Sequence, residues 1–179
     1  ALAASVATVF NELTGAIPVE DYGPLLVAPH NMRERFTELI RREGDHHRAG
    51  RPSGIRVKLN QLQDPEIIRE LYEASRAGVP ITLCVRGLCC LRAGVPSLSP
   101  TIRVFSILGR FLEHSRIYRF ENAGNPKFYL GSADWMRRNF NNRMETVAPA
   151  TDPAIQAELE RILDVYEGDN ASAWDMQPD

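Results

Sequence analysis

The sequence predicts an α/β fold with a mixed central sheet between helices, and three observations point to it. Residues 55–60, 64–77 and 81–85 read as strand, helix and strand within about 30 residues, the signature of a parallel βαβ unit with a right-handed crossover. Residues 114–130 read as an antiparallel hairpin. Amphipathic stripes flank both, one opening after Asn31 and one after Asp152. A chain of 179 residues has room for one such domain and a short appendage, but not for a second catalytic domain.

Taken in order, Leu2, Val6, Phe10 and Leu13 form a helical stripe that ends at Gly15. A stripe opening at the first residues reads as the tail of a preceding domain, and the stretch through Pro18, Gly23 and Pro24 as a linker. The expected boundary leaves 1–24 as tail and linker and 25–179 as the domain. Leu25 to Ala28 is short and apolar enough for a buried strand. Asn31 with Glu34 resembles a capping box ahead of the stripe Met32, Phe36, Leu39 and Ile40, and the helix is expected to fray near Gly44 to Gly50. Ile55 to Asn60 alternates, with Ile55, Val57 and Leu59 opposite Arg56, Lys58 and Asn60. Asp64 caps the next helix with Pro65 at its first position, and Gly78 ends it. Ile81 to Val85 is an apolar strand running into Arg86, and Ile102 to Phe105 is a third. His114 to Phe120 and Lys127 to Leu130 flank a turn, Ser132 to Trp135 resembles the first turn of a short helix, and Arg143 to Val147 alternates again. Asp152 and Pro153 start a final helix carrying Ile155, Leu159, Ile162, Leu163 and Tyr166 on one stripe. The tail beyond Gly168 is polar and reads as loose.

Composition narrows the function classes. Charge-free stretches such as Val79 to Val85 fall far short of the roughly 20 residues of a membrane span. Cys84, Cys89 and Cys90 are odd in number and lack a chelating spacing, which suits a reducing cytosol and a packing role. The net charge of −2 conceals an asymmetry: residues 86–143 hold ten cations, nine of them arginine, against three anions. That stretch is either a solvated surface or a site for phosphate, which the planar guanidinium meets with two parallel bonds.

Spacing favours the second reading. In a strand, His114 and Arg116 project on one side, with Tyr118 further along, and the hairpin returns to Gly131 and Ser132 at an expected helix N-terminus. Phosphoryl transfer needs a proton-carrying side chain, cations over the non-bridging oxygens and donors aimed at developing charge, and these residues supply each type. Asn60 and Arg86 end the two parallel strands, where α/β sheets bind ligands. His30, His46 and His47 have no acidic or cysteine partner at ligand spacing, and Trp135 reads as a core anchor.

These residues resemble a known pattern. His114 to Arg116 followed by G-S-A-D at 131–134 is similar to the H-x-K and G-S-x-N half-site of the phospholipase D superfamily, with Arg116 for lysine, Glu121 for an aspartate, Asp134 for asparagine and a longer spacer. Longer strings, V-R-G-L-C-C-L-R-A-G-V-P at 85–96, G-R-F-L-E-H-S-R-I-Y-R-F-E-N-A-G at 109–124 and G-S-A-D-W-M-R-R-N at 131–139, resemble the last domain of the polyphosphate kinases with phospholipase-D-like catalytic domains. The resemblance extends through L-L-V-A-P at 25–29, R-E-R-F-T-E-L-I-R-R-E at 33–43 and K-L-N-Q-L-Q-D-P-E-I-I at 58–68. It implies a phospholipase-D-like α/β/α sandwich, here slightly short at its C-terminal end. It also implies a reversible transfer of the terminal phosphate of ATP to polyphosphate through a phosphohistidine in the preceding domain. His114 then matches the second catalytic histidine and Arg86 a phosphate-binding arginine, with Arg116 and Ser132 as further phosphate contacts. Lys58, Asn60, Arg137 and Arg143 are supporting candidates, with Arg138 beside them as a possible channel residue. Magnesium is expected with ATP, its ligands upstream and none in this chain. ATP, ADP, polyphosphate and the upstream domains are the expected partners of a cytoplasmic, homo-oligomeric parent, peripheral at most to the inner membrane face, with no role for nucleic acid. The alternative is a non-catalytic polyanion-binding module of the same fold.

Overall fold

The computed structural model describes residues 2–15 and 21–178; the linker residue Pro18 lies outside them. Among the described residues the helices and strands run α1 (Leu2–Leu13), β1 (Leu26–Ala28), α2 (Met32–Arg48), β2 (Ile55–Leu59), α3 (Pro65–Arg76), β3 (Ile81–Val85), β4 (Ile102–Ile107), β5 (Ile117–Phe120), β6 (Lys127–Gly131), α4 (Arg137–Asn142), β7 (Glu145–Ala150), α5 (Pro153–Glu167) and β8 (Ala173–Asp175), with a short 3-10 turn at Asn122–Gly124 between β5 and β6. The strands form one sheet in the order β1-β7-β6-β5-β2-β3-β4-β8. β2, β3 and β4 run parallel, and every other pairing is antiparallel, so the sheet is mixed.

Alternation along the strands divides the core into two layers. Ile55, Val57, Leu59, Tyr118 and Phe120 pack with Phe36 and Ile40 of α2 and Ile67 and Leu71 of α3. On the opposite face, Ile117 and Phe128 meet Leu159 and Leu163 of α5. The βαβ unit forms as expected, with Asp64 accepting from the Glu66 and Ile67 amides and Pro65 in the first turn. Asp152 caps α5 in the same way. Among the described residues no helix is long and apolar enough to cross a membrane.

Several local expectations are corrected. Asn31 makes no cap: its side chain accepts from the Val27 amide and donates to the Leu25 carbonyl, tying β1 to the start of α2. α2 continues through Gly44 to Arg48, because buried Glu43 accepts from the Gly54 and Asn122 amides and so anchors the helix's later turns. The α1 stripe is exposed rather than buried, with Phe10 62% accessible, and Ser5 and Val9 form the buried side. The tail is not loose: β8 pairs with β4, and Arg103 grips Asp175 with two bonds.

Candidate functional site

The sheet brings five chain segments to one end. β2 and β3 run parallel, so Asn60 and Arg86 leave them side by side. β5 is antiparallel to β2, with Ile117 opposite Lys58, so the residues just before β5 emerge at that same end. β6 ends there at Gly131, and β7 begins there at Glu145. The result is a cleft of about 360 Å³ whose lining includes Arg86, His114, Arg116, Arg138, Arg143 and the acid Glu145.

A chain of hydrogen bonds crosses the cleft floor. Arg86 donates from Nε to Asn60 Oδ1 at 2.9 Å. Asn60 donates its backbone amide and its side-chain amide to Asp134 Oδ1, at 2.7 and 3.3 Å. Arg116 grips both oxygens of Asp134, Nε to Oδ1 at 3.3 Å and Nη2 to Oδ2 at 3.1 Å. Arg116 Nη1 then lies 3.2 Å from His114 Nδ1. Since a guanidinium only donates, Nδ1 must accept in this contact, which leaves the ring proton on Nε2.

His114 and Arg116 do come together on one side, but not in a strand: β5 starts at Ile117, and the two precede it in extended coil. Tyr118 does not share their face toward the cleft; it is fully buried and donates to the Ala133 carbonyl, and burial raises its phenol well above the usual range. Trp135 is wholly buried against Phe36 and Tyr118, as a core anchor should be.

The helix N-terminus expected at Ser132 is absent, because α4 begins only at Arg137. Gly131 still permits a close approach: a Cβ there would run into the Thr146 carbonyl oxygen and the Val147 side chain. Ser132 lines the cleft, but its hydroxyl donates to Glu145 and its amide to Thr146 O. Lys58 is neither a cleft residue nor solvent-exposed. It lies under the sheet beneath α5, 0% accessible, and burial lowers its proton affinity. Asn60 is buried and acts through Arg86 and Asp134. Arg143 is exposed and lines the cleft beside Arg138, whereas Arg137 is exposed without lining it.

Asp134 and Glu145 were missed as organisers, although the sequence carried a signal. Asp134 is one of three anions in an arginine-rich stretch, where each acid has cations close by. Glu145 accepts from Ser132 and from Asn139 Nδ2 at 2.7 Å, which fixes the β7 side of the cleft.

The family model for polyphosphate kinase C-terminal domain 2 matches residues 25–179. The chain belongs to this family. A polyphosphate kinase of Thermosynechococcus vestitus is 53% identical over 178 residues, 99% of this chain and 24% of that protein. The corresponding protein of Pseudomonas aeruginosa is 46% identical over 179 residues and 26% of its length. The chain thus spans about a quarter of the length of these relatives. Among solved structures, the Porphyromonas gingivalis polyphosphate kinase superposes with a TM-score of 0.94 at 41% identity, over 97% of this chain and 27% of that one. Nuc of Salmonella typhimurium, a phospholipase D family member, matches with a TM-score of 0.57 at 15% identity, over 86% of this chain and 97% of its own. At that identity the likeness concerns the fold alone, and it agrees with the phospholipase-D-like architecture.

Proposed function

We propose that this domain forms one wall of a phosphoryl-transfer site in a polyphosphate kinase that moves the terminal phosphate of ATP reversibly onto polyphosphate. The observation that carries the reading is His114 hydrogen-bonded to Arg116 in a cleft shared with Arg86, Arg138 and Arg143. In this reading, a histidine on the facing upstream domain takes the phosphoryl group as the bond to ADP breaks, and a terminal polyphosphate oxygen then displaces that histidine. Arg86 and Arg116 hold phosphoryl oxygens, and His114 donates a hydrogen bond from its Nε2–H to the leaving ADP oxygen, steadying the charge that develops there without giving up the proton, and does the same for the attacking oxygen in the reverse direction. Arg138 and Arg143 extend the cationic lining along the polyphosphate chain.

Magnesium takes oxygen ligands in near-octahedral geometry. Asp134 already accepts from Asn60 and Arg116, and Glu145 from Ser132 and Asn139, with four arginines sharing the cleft. These residues do not fit that ion, so no step here runs through it, and its ligands are left to other parts of the parent protein. The same reading expects a cytoplasmic, homo-oligomeric parent, peripheral at most to the inner membrane face.

Two measurements test the proposal. Anisotropy titration of this chain with labelled polyphosphate should show binding that an Arg86→Ala, His114→Ala double variant, folded by circular dichroism, loses by more than tenfold. In a chimaera carrying this chain in place of the matching segment of the Thermosynechococcus vestitus enzyme, His114→Ala should lower turnover by about 100-fold or more. Lost binding with normal His114→Ala turnover would instead favour a polyanion-binding module.

A further inference from the structure

Between β4 and β5 the backbone has no strand partner, and among the described residues no backbone–backbone hydrogen bond involves residues 109–115. Apolar packing does not hold this segment either, since Phe111 and Leu112 are exposed. Yet it carries His114, whose ring must keep a defined direction to aim its Nε2–H at a phosphoryl or leaving oxygen.

The restraint comes from beneath. Lys58 Nζ donates to the carbonyls of Glu113, at 3.0 Å, and Ser115, at 3.3 Å, the residues on either side of His114. Tyr166 of α5 donates from its hydroxyl to Glu113 Oε2 at 2.8 Å and pairs with Ser115 Oγ at 3.1 Å. Its ring also lies 5.8 Å from Lys58 Nζ. Lys58 is fully buried, and these two hydrogen bonds go to backbone carbonyls rather than to a carboxylate. Burying an ammonium is costly, and an apolar side chain of similar length would fill the space without that cost. Packing alone therefore does not explain a lysine here. Two anchors on the carbonyls flanking one residue restrict the backbone torsions of that residue, and so the origin and direction of its side chain.

We propose that Lys58 and Tyr166 are positioning residues for His114, clamping the backbone on both sides of it so that its ring faces the cleft beside Arg116. The proposal rests on the reading of His114 given above and adds two residues, on β2 and α5, that touch no substrate.

The test uses His114→Ala, Lys58→Met and Tyr166→Phe in the same chimaera, together with proton–carbon spectra of the histidine rings in this chain. Lys58→Met should lower kcat by about 100-fold with KM within about twofold, the effect of a displaced rather than a missing group. Tyr166→Phe should act in the same direction by a smaller factor. In folded chains, each variant should shift or broaden the His114 ring signal and leave those of His30, His46 and His47 in place. Tyr166→Phe removes a single hydroxyl and carries the test if Lys58→Met does not fold. If His114→Ala abolishes turnover while the folded variants keep kcat or leave the His114 signal unmoved, the proposal is overturned. If His114→Ala itself keeps turnover, the catalytic reading of His114 has failed, and the ring spectra still decide whether the clamp exists.

Discussion

Asp134 receives four hydrogen bonds, two from Asn60 and two from Arg116, and through them links Arg86 to His114. Its side chain is 9% accessible and that of Arg116 14%, so removing the carboxylate strands a guanidinium and a backbone amide with little water to replace it. Asp134→Ala should therefore lower unfolding stability by about 3 kcal/mol. The check is a urea titration in which the midpoint falls at constant slope. Asp134→Asn keeps an acceptor for the Asn60 amide and should lose less. A loss below about 1 kcal/mol for the alanine variant would mean that the network follows the fold rather than supporting it.

At the scale of elements, α5 is the piece whose attachment is mainly ionic. Arg56 of β2, 17% accessible, reaches Glu160, Asp164 and Glu167 at 2.6, 2.7 and 2.7 Å, and Arg119 of β5 shares Glu160. Only Leu159 and Leu163 of this helix are fully buried. Arg56→Met leaves three carboxylates facing the sheet with one fewer cation, and since Asp164 is largely exposed the loss should be about 2 kcal/mol. Hydrogen exchange should show α5 amides losing protection ahead of those in α3, which is seated in the apolar layer. Equal loss in both helices would contradict this picture. Because Tyr166 rides on α5, the same variant should also broaden the His114 ring signal.

Over the whole molecule, four of the ten cations in residues 86–143, namely Arg86, Arg116, Arg138 and Arg143, meet in a single cleft, while Arg103 and Arg119 pair with acids elsewhere. Neutralising polyanion charge releases counterions, so affinity should fall steeply with salt. By analogy with single-stranded nucleic acid, four contacts give a log–log slope of about −3, and Arg138→Ala or Arg143→Ala should each make it shallower by a bit under one. Anisotropy titrations across a series of salt concentrations measure this directly. A slope unchanged by either substitution would take these two arginines out of the polyphosphate path.

Much of this was readable along the chain. The caps at Asp64 and Asp152, the βαβ unit, the hairpin and the clustering of arginines rest on local spacing, because backbone capping and side-chain alternation involve residues only a few positions apart. The pairing of His114 with Arg116 and the identity of the family came from the same local strings. Tertiary structure decided the rest. The alternation from His114 to Phe120 looks like one strand, yet pairing begins only at Ile117, opposite Lys58 near the end of β2, and the residues before it leave the sheet to be held from α5 and Lys58. Whether the polar face of β2 met water or protein depended on α5, about a hundred residues later. Its arrival turned Arg56 into an ion-pair hub and Lys58 from a candidate phosphate ligand into a buried clamp. Spacing determined which residues lie on a common face, and the folded sheet determined what that face meets, because burial and charge pairing depend on segments far apart in sequence.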